Sequence, residues 1–148
     1  IGSDGRAVGG TVGPRDVPGL AEAPRYAIYA HFSRQGQVVS ADDRVPFALE
    51  EGQCEIYTIV PMQEAVAVIG LADKYVSRHA VISAQESGNA ARFDLREGGK
   101  VIFMADRVPA EVRMQDENVT WKQMGDRLFE AESERFAGRT SVEIVFPD

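Results

Sequence analysis

Apolar and polar residues alternate with a period of two along most of the chain, and sustained helical spacing is almost nowhere in the pattern. "RYAIYAHFS" puts Ile28, Ala30 and Phe32 on one face and Tyr29 and His31 on the other. After a turn at Gln35 and Gly36, "QVVS" reads as a short strand. "DDRVPFAL" follows as another, where Pro46 argues for a sheet edge or a strand start because it has no N–H to give to a ladder. Over residues 53–60, Cys54, Ile56, Thr58 and Val60 form a core face against Glu55, Tyr57 and Ile59. "AVAVIGL" is apolar on both faces, as expected of a strand buried centrally or covered by a neighbouring domain.

Elsewhere the alternation gives way to turn chemistry. "GRAVGGTVGPRDVPGL" is rich in glycine and proline, and its part from Gly13 to Leu20 reads as a loop or a single irregular turn. "LADKYV" allows one helical turn before "HAVISAQ" resumes extended structure. A regular series then follows: "AARFDLRE", a turn at Gly98 and Gly99, "KVIFMAD", "PAEVRMQD", "NVTWKQMG", "RLFEAES" and "TSVEIVF". In these, Ala110, Val112 and Met114 face inward against Glu111 and Arg113, and Val142, Ile144 and Phe146 against Ser141 and Glu143. Short strands spaced by about 8–12 residues predict an all-β fold, an antiparallel β-sandwich of Greek-key type with few or no helices. A closed barrel is the main structural alternative. Residues 1–148 are expected to form a single domain, since neither an internal repeat nor a low-complexity linker divides them.

Composition changes this picture little but excludes several functions. A chain of 148 residues, 44% apolar and 26% charged, can bury a hydrophobic core without metal or disulfides. No apolar run approaches the about 18 residues of a membrane span. A net charge of −7, with 16 basic residues scattered singly, argues against nucleic acid as a partner. Cys54 is the one cysteine, so no intramolecular disulfide forms, no compartment is indicated, and its place in an alternating strand predicts a small buried side chain. The chain starts at Ile1 without an initiator methionine or a signal-like segment, which suggests a piece of something longer.

The search for chemistry yields no catalytic grouping, cofactor motif or metal motif. His31 and His79 lie far apart, and the strand position of His31 beside Tyr29 favours a hydrogen-bonded structural histidine over a catalytic base. The acidic pairs Asp42–Asp43, Glu50–Glu51 and Asp116–Glu117 fall at predicted turns without calcium-loop spacing. Neither a Gly-x-Ser-x-Gly elbow nor a phosphate-cradling glycine loop is present. Trp121 and Tyr75 are candidates for a sugar platform, although in an alternating strand Trp121 more naturally packs one face of the sandwich.

Four segments in order carry a resemblance: Gly10, Val12, Pro14, Asp16, Val17, Gly19 and Leu20; then Tyr29 and His31; then Glu55, Tyr57, Thr58 and Pro61; then Ile69, Gly70, Leu71, Asp73, Lys74 and Tyr75. Together they resemble the C-terminal region of the raffinose synthase and seed imbibition proteins, relatives of the family 36 α-galactosidases. The match covers residues 9 to about 77, and departs after Val76, where "SRHAVISAQ" replaces the glycines and serines usual in plant members. The resemblance implies an upstream catalytic (β/α)8 barrel with a C-terminal β domain beside it. It also implies a retaining glycosidase or galactosyltransferase whose two carboxylates, about 5–5.5 Å apart, belong to the barrel. No residue of this chain then inherits a catalytic, cofactor or metal role. "AVAVIGLADKYV" is expected to serve both the sandwich interior and a contact with the barrel. A carbohydrate-binding module using Trp121, Tyr75 or the Tyr29–His31 face, and an unrelated stand-alone β protein, are the alternatives.

Overall fold

The computed structural model describes residues 7–74, 77–132 and 138–148. Fourteen strands are described: β1 Val8–Val12, β2 Arg25–Ala30, β3 Gln35–Val39, β4 Val45–Leu49, β5 Tyr57–Met62, β6 Val66–Leu71, β7 Val81–Ser87, β8 Ala90–Leu95, β9 Lys100–Ala105, β10 Glu111–Met114, β11 Glu117–Asn118, β12 Trp121–Gly125, β13 Leu128–Glu132 and β14 Thr140–Val145. The helical turns among the described residues are two short 3-10 segments, Pro14–Asp16 and Ser77–Ala80. All strand pairs are antiparallel, and four sheets stack on one another.

The sandwich proper joins a five-stranded sheet, β11-β10-β14-β8-β7, to a four-stranded sheet, β12-β13-β9-β6. The last strand, β14, enters between β8 and β10, the non-local closure of a Greek-key arrangement. Period-two alternation sends Phe93, Leu95, Val142, Ile144, Val112 and Met114 from one sheet against Val101, Phe103, Ala105, Phe129 and Ala131 from the other. The rings of Phe103 and Phe129 stack at 5.4 Å between centroids. Val112 and Met114 are buried as expected, whereas Ala110 lies outside the strand and is exposed.

The four-stranded sheet is covered on its other face as well. Ala67, Ile69, Ile102, Met104 and Leu128 point away from the sandwich core and pack on Ala27, Tyr29, Val60 and Met62 of a third sheet, β3-β2-β5. This explains the two-sided apolar pattern of β6 and β9. The second face of "AVAVIGL", expected to reach a separate barrel, is covered by strands of this same chain. Within β6, Gly70 sits at φ 128°, and the register slips there so that Ile69 and Gly70 together oppose Ile102. The bulge returns Leu71 to the sandwich side.

A two-stranded ribbon, β1-β4, closes the outer face of the third sheet, with Val12 and Val45 against Tyr26, Ile28, Tyr57 and Ile59. Pro46 stands in this ribbon, consistent with its edge assignment. Strand β1 lies in the glycine- and proline-rich first segment, just before the part from Gly13 to Leu20 that reads as a loop. Its Gly10 admits the Phe47 ring: a Cβ there would lie 2.7 Å from Phe47 Cζ. Gly36 is a similar case. The turn falls at residues 31–34, one step earlier than expected, and Gly36 is inside β3, where a Cβ would sit 3.1 Å from Met104 Sδ and 3.2 Å from Leu128 Cδ1. It is glycine because two sheets meet there.

Candidate functional site

Three of the four segments that carry the resemblance meet around the turn after β2. Strand β2 ends at Ala30 and its turn, residues 31–34, is held from several directions. Glu55 Oε1 accepts from Phe32 N at 2.8 Å and from Ile56 N at 2.9 Å, and its Oε2 accepts from Ser33 N at 3.0 Å. His31 N donates to Ile56 O at 2.9 Å, and His31 Nε2 lies 2.7 Å from Thr58 Oγ1. Arg34 closes the turn at φ 57° and bonds Glu130 Oε2 at 2.6 Å, while Lys122 Nζ stands 3.3 Å from Glu130 Oε1. Glu130 is only 6% exposed, and its charge is compensated by Arg34 across the sheet interface and by Lys122 on the neighbouring strand β12.

Electrostatics follow from this packing. Burial raises the Glu55 carboxyl, but its hydrogen bonds with Phe32, Ile56 and Ser33 outweigh that and hold it below the ordinary carboxylate value. Burial lowers the His31 imidazole, against a smaller opposing pull from Glu55. Burial also raises the Tyr29 phenol, against a smaller opposing pull from Arg34, and its ring meets the His31 ring edge-on at 4.9 Å.

Beside the turn, the chain leaves β6 through Ala72 and Asp73. Ala72 N donates to Lys100 O at 2.7 Å and Lys74 N to Leu71 O at 3.2 Å, and the Lys74 side chain pairs with Glu97. Tyr29, His31, Phe32, Arg34, Ala72, Asp73 and Lys100 line a cleft of about 300 Å³. Its walls come from two of the four segments singled out in the sequence, and a third supplies Glu55 and Thr58, which hold the 31–34 turn. A larger cavity of about 430 Å³ follows the edges of β5, β6 and β7. Two of its charged groups are committed to the fold: Glu86 accepts from Ala65 N and Val66 N at 3.0 and 2.8 Å, and Arg92 pairs with Glu143 at 2.8 Å. The smaller cleft is therefore the better candidate.

Other sequence candidates have structural roles or lie apart. In the first segment, Gly13 N donates to Asp16 Oδ2 at 2.9 Å, Arg44 pairs with Asp16 at 2.9 Å, and a Cβ at Gly13 would lie 2.4 Å from Asp43 O. Trp121 packs on the sandwich core, edge-on to Phe129 at 6.0 Å. His79 is exposed, away from His31 in the 3-10 turn Ser77–Ala80. Tyr75 lies outside the described residues. Cys54, expected to be buried in a strand, is exposed, because β5 begins only at Tyr57 and residues 51–56 form the loop that delivers Glu55. Asp42 pairs with Arg15 at 2.5 Å and Asp43 accepts from Ser40 N at 2.8 Å, as solvated turn residues do. The outer face of the five-stranded sheet carries an alternating series, Arg139–Asp94 at 2.6 Å and Arg92–Glu143–Arg113–Glu111, which suits exposure to water. Sequence reasoning missed Arg34, Lys100 and Glu130, whose parts depend on contacts distant in sequence.

No family model matches this chain. It is similar to stachyose synthase from Pisum sativum, at 22% identity over 113 residues, which is 72% of this chain and 13% of that protein. The chain therefore spans about an eighth of the length of the relative it matches. The similarity is distant, and it hints at the same group of carbohydrate-active proteins that the ordered segments resemble.

Proposed function

We propose that this chain is a non-catalytic β-sandwich domain of a raffinose synthase- or α-galactosidase-like glycoside hydrolase, which supports a catalytic (β/α)8 barrel encoded upstream in the same polypeptide. The observation that carries this reading is the work done by the motif residues. Gly10 makes room for a ring, Asp16 ties a turn, Glu55 pins residues 31–33, Thr58 holds His31, and Gly70 forms a bulge. Residues that set the fold are what a supporting domain would share with its relatives, and the distant similarity to a stachyose synthase agrees. On this reading the parent is a retaining enzyme, and its two carboxylates lie in the barrel.

The test is direct. The purified 148-residue protein is expected to release no nitrophenol from nitrophenyl α-galactoside, and turnover that scales with protein concentration would overturn the proposal. Sequencing the locus gives an independent check: an open frame running several hundred codons upstream of Ile1 supports it, and a start codon immediately before Ile1 argues against it.

A further inference from the structure

The cleft beside the 31–34 turn contains two charged groups that the fold leaves uncommitted. Arg34 is taken by Glu130, Lys74 by Glu97, and Glu55 by backbone N–H groups. Among the described residues, neither the Asp73 carboxylate nor the Lys100 ammonium has a hydrogen-bond or ion-pair partner, yet both line the same cleft. Next to them is Phe32, 49% exposed although its backbone is among the most firmly held on this surface. A turn fixed by Glu55, Ile56 and Thr58 thus presents an apolar ring beside an unengaged acceptor and an unengaged donor.

We infer that this cleft binds a neutral hexose ring. An aromatic face suits the C–H face of a pyranose, the Asp73 carboxylate accepts from sugar hydroxyls, and Lys100 donates to them. Charge argues for a neutral ligand: Asp73 balances Lys100, Glu130 balances Arg34, and the chain as a whole is at −7. Size argues for one ring, since about 300 Å³ lies at the lower limit of the roughly 300–1,000 Å³ of small-molecule sites. The inference stands independently of the supporting role proposed above, since a sugar site at this cleft requires no barrel.

The experiment is a titration of the isotopically labelled 148-residue protein with D-galactose and D-glucose, with galacturonate as the charged control, followed by amide chemical shifts. Saturable shifts are expected at residues 31–34, 72–73 and 100, with at least one neutral hexose and weaker or no response to galacturonate. Phe32→Ala is expected to weaken binding roughly threefold to tenfold, as loss of one aromatic contact does. Asp73→Asn, nearly isosteric at an exposed position, weakens it as well, while Ala84→Ser in the larger cavity leaves it unchanged. Absence of saturable shifts at about 100 mM hexose, well beyond the millimolar range of weak binding, overturns the inference. So does binding that Phe32→Ala and Asp73→Asn leave intact in variants with native spectra, or a preference for the anion.

Discussion

Replacing Glu55 tests whether the turn that builds the cleft is held as described. In Glu55→Ala three backbone donors lose their acceptor: Phe32 N, Ser33 N and Ile56 N. Charge-assisted bonds are worth about 1.5–3 kcal/mol each when protected from water. Two of these three are exposed, so water replaces much of their value and a total loss of about 2–3 kcal/mol is expected. That corresponds to a fall in Tm of roughly 4–12 °C for a chain of this size. Glu55→Gln removes the charge, and its amide nitrogen would face Ser33 N–H, two donors against each other; a loss of about 1–2 kcal/mol is expected. The sign of the pH dependence is fixed by the lowered carboxyl. Its contribution is fully present above the unfolded value of about 4.3 and is lost as pH falls through the lower folded value. The gap between wild type and Glu55→Gln is therefore constant near neutrality and narrows in the acid range below about pH 4. Urea unfolding followed by fluorescence of the one tryptophan, Trp121, measures both effects. A loss below about 0.5 kcal/mol for Glu55→Ala at pH 7, the scale of an ordinary surface change, would refute the reasoning, as would a gap that widens in acid.

Gly36→Val should lower stability by about 1–3 kcal/mol in thermal melts, because its Cβ would crowd Met104 and Leu128 where the two sheets meet. Cys54→Ser should change stability by less than about 0.5 kcal/mol, and the native thiol should react fully with a thiol reagent without denaturant. His31 is held below its ordinary imidazole value by burial, so the unfolded chain binds the proton first. Stability should fall as pH drops from 7 past about 6.5 toward the lower folded value, and His31→Gln should remove that component of the pH profile.

Most strands were legible in the sequence because one-sided burial writes an alternating pattern. Residues 142, 144 and 146 and residues 112 and 114 are clear cases. The failures have specific causes. Gly10 and Gly36 are glycines for the sake of a neighbouring side chain, and sequence alone does not separate that use from a turn. Cys54 alternates in phase with Thr58 and Val60, but a loop interrupts before Tyr57, and local pattern does not register where pairing begins. The two apolar faces of β6 announced coverage without naming the cover, because the strands that provide it lie earlier in the chain. The cleft was partly legible: Tyr29, His31 and Asp73 belong to segments that stood out. Lys100 and Arg34 did not, since their part depends on contacts distant in sequence, 96 residues apart for Arg34 and Glu130.

The two-sided burial of the four-stranded sheet also orders events in time. Strands β2, β3 and β5 leave the ribosome before β9 and β13, yet the surface they cover is completed only when those later strands have followed and paired. Until then Tyr29, Val60 and Met62 have no layer to join, and once the later sheets close, Ile69, Ile102 and Met104 form an oily exterior until the early strands return. Synthesis that outpaces this docking leaves a sandwich with one adhesive side. A version of the chain lacking residues before Val66 is therefore expected to self-associate rather than persist as a smaller soluble unit.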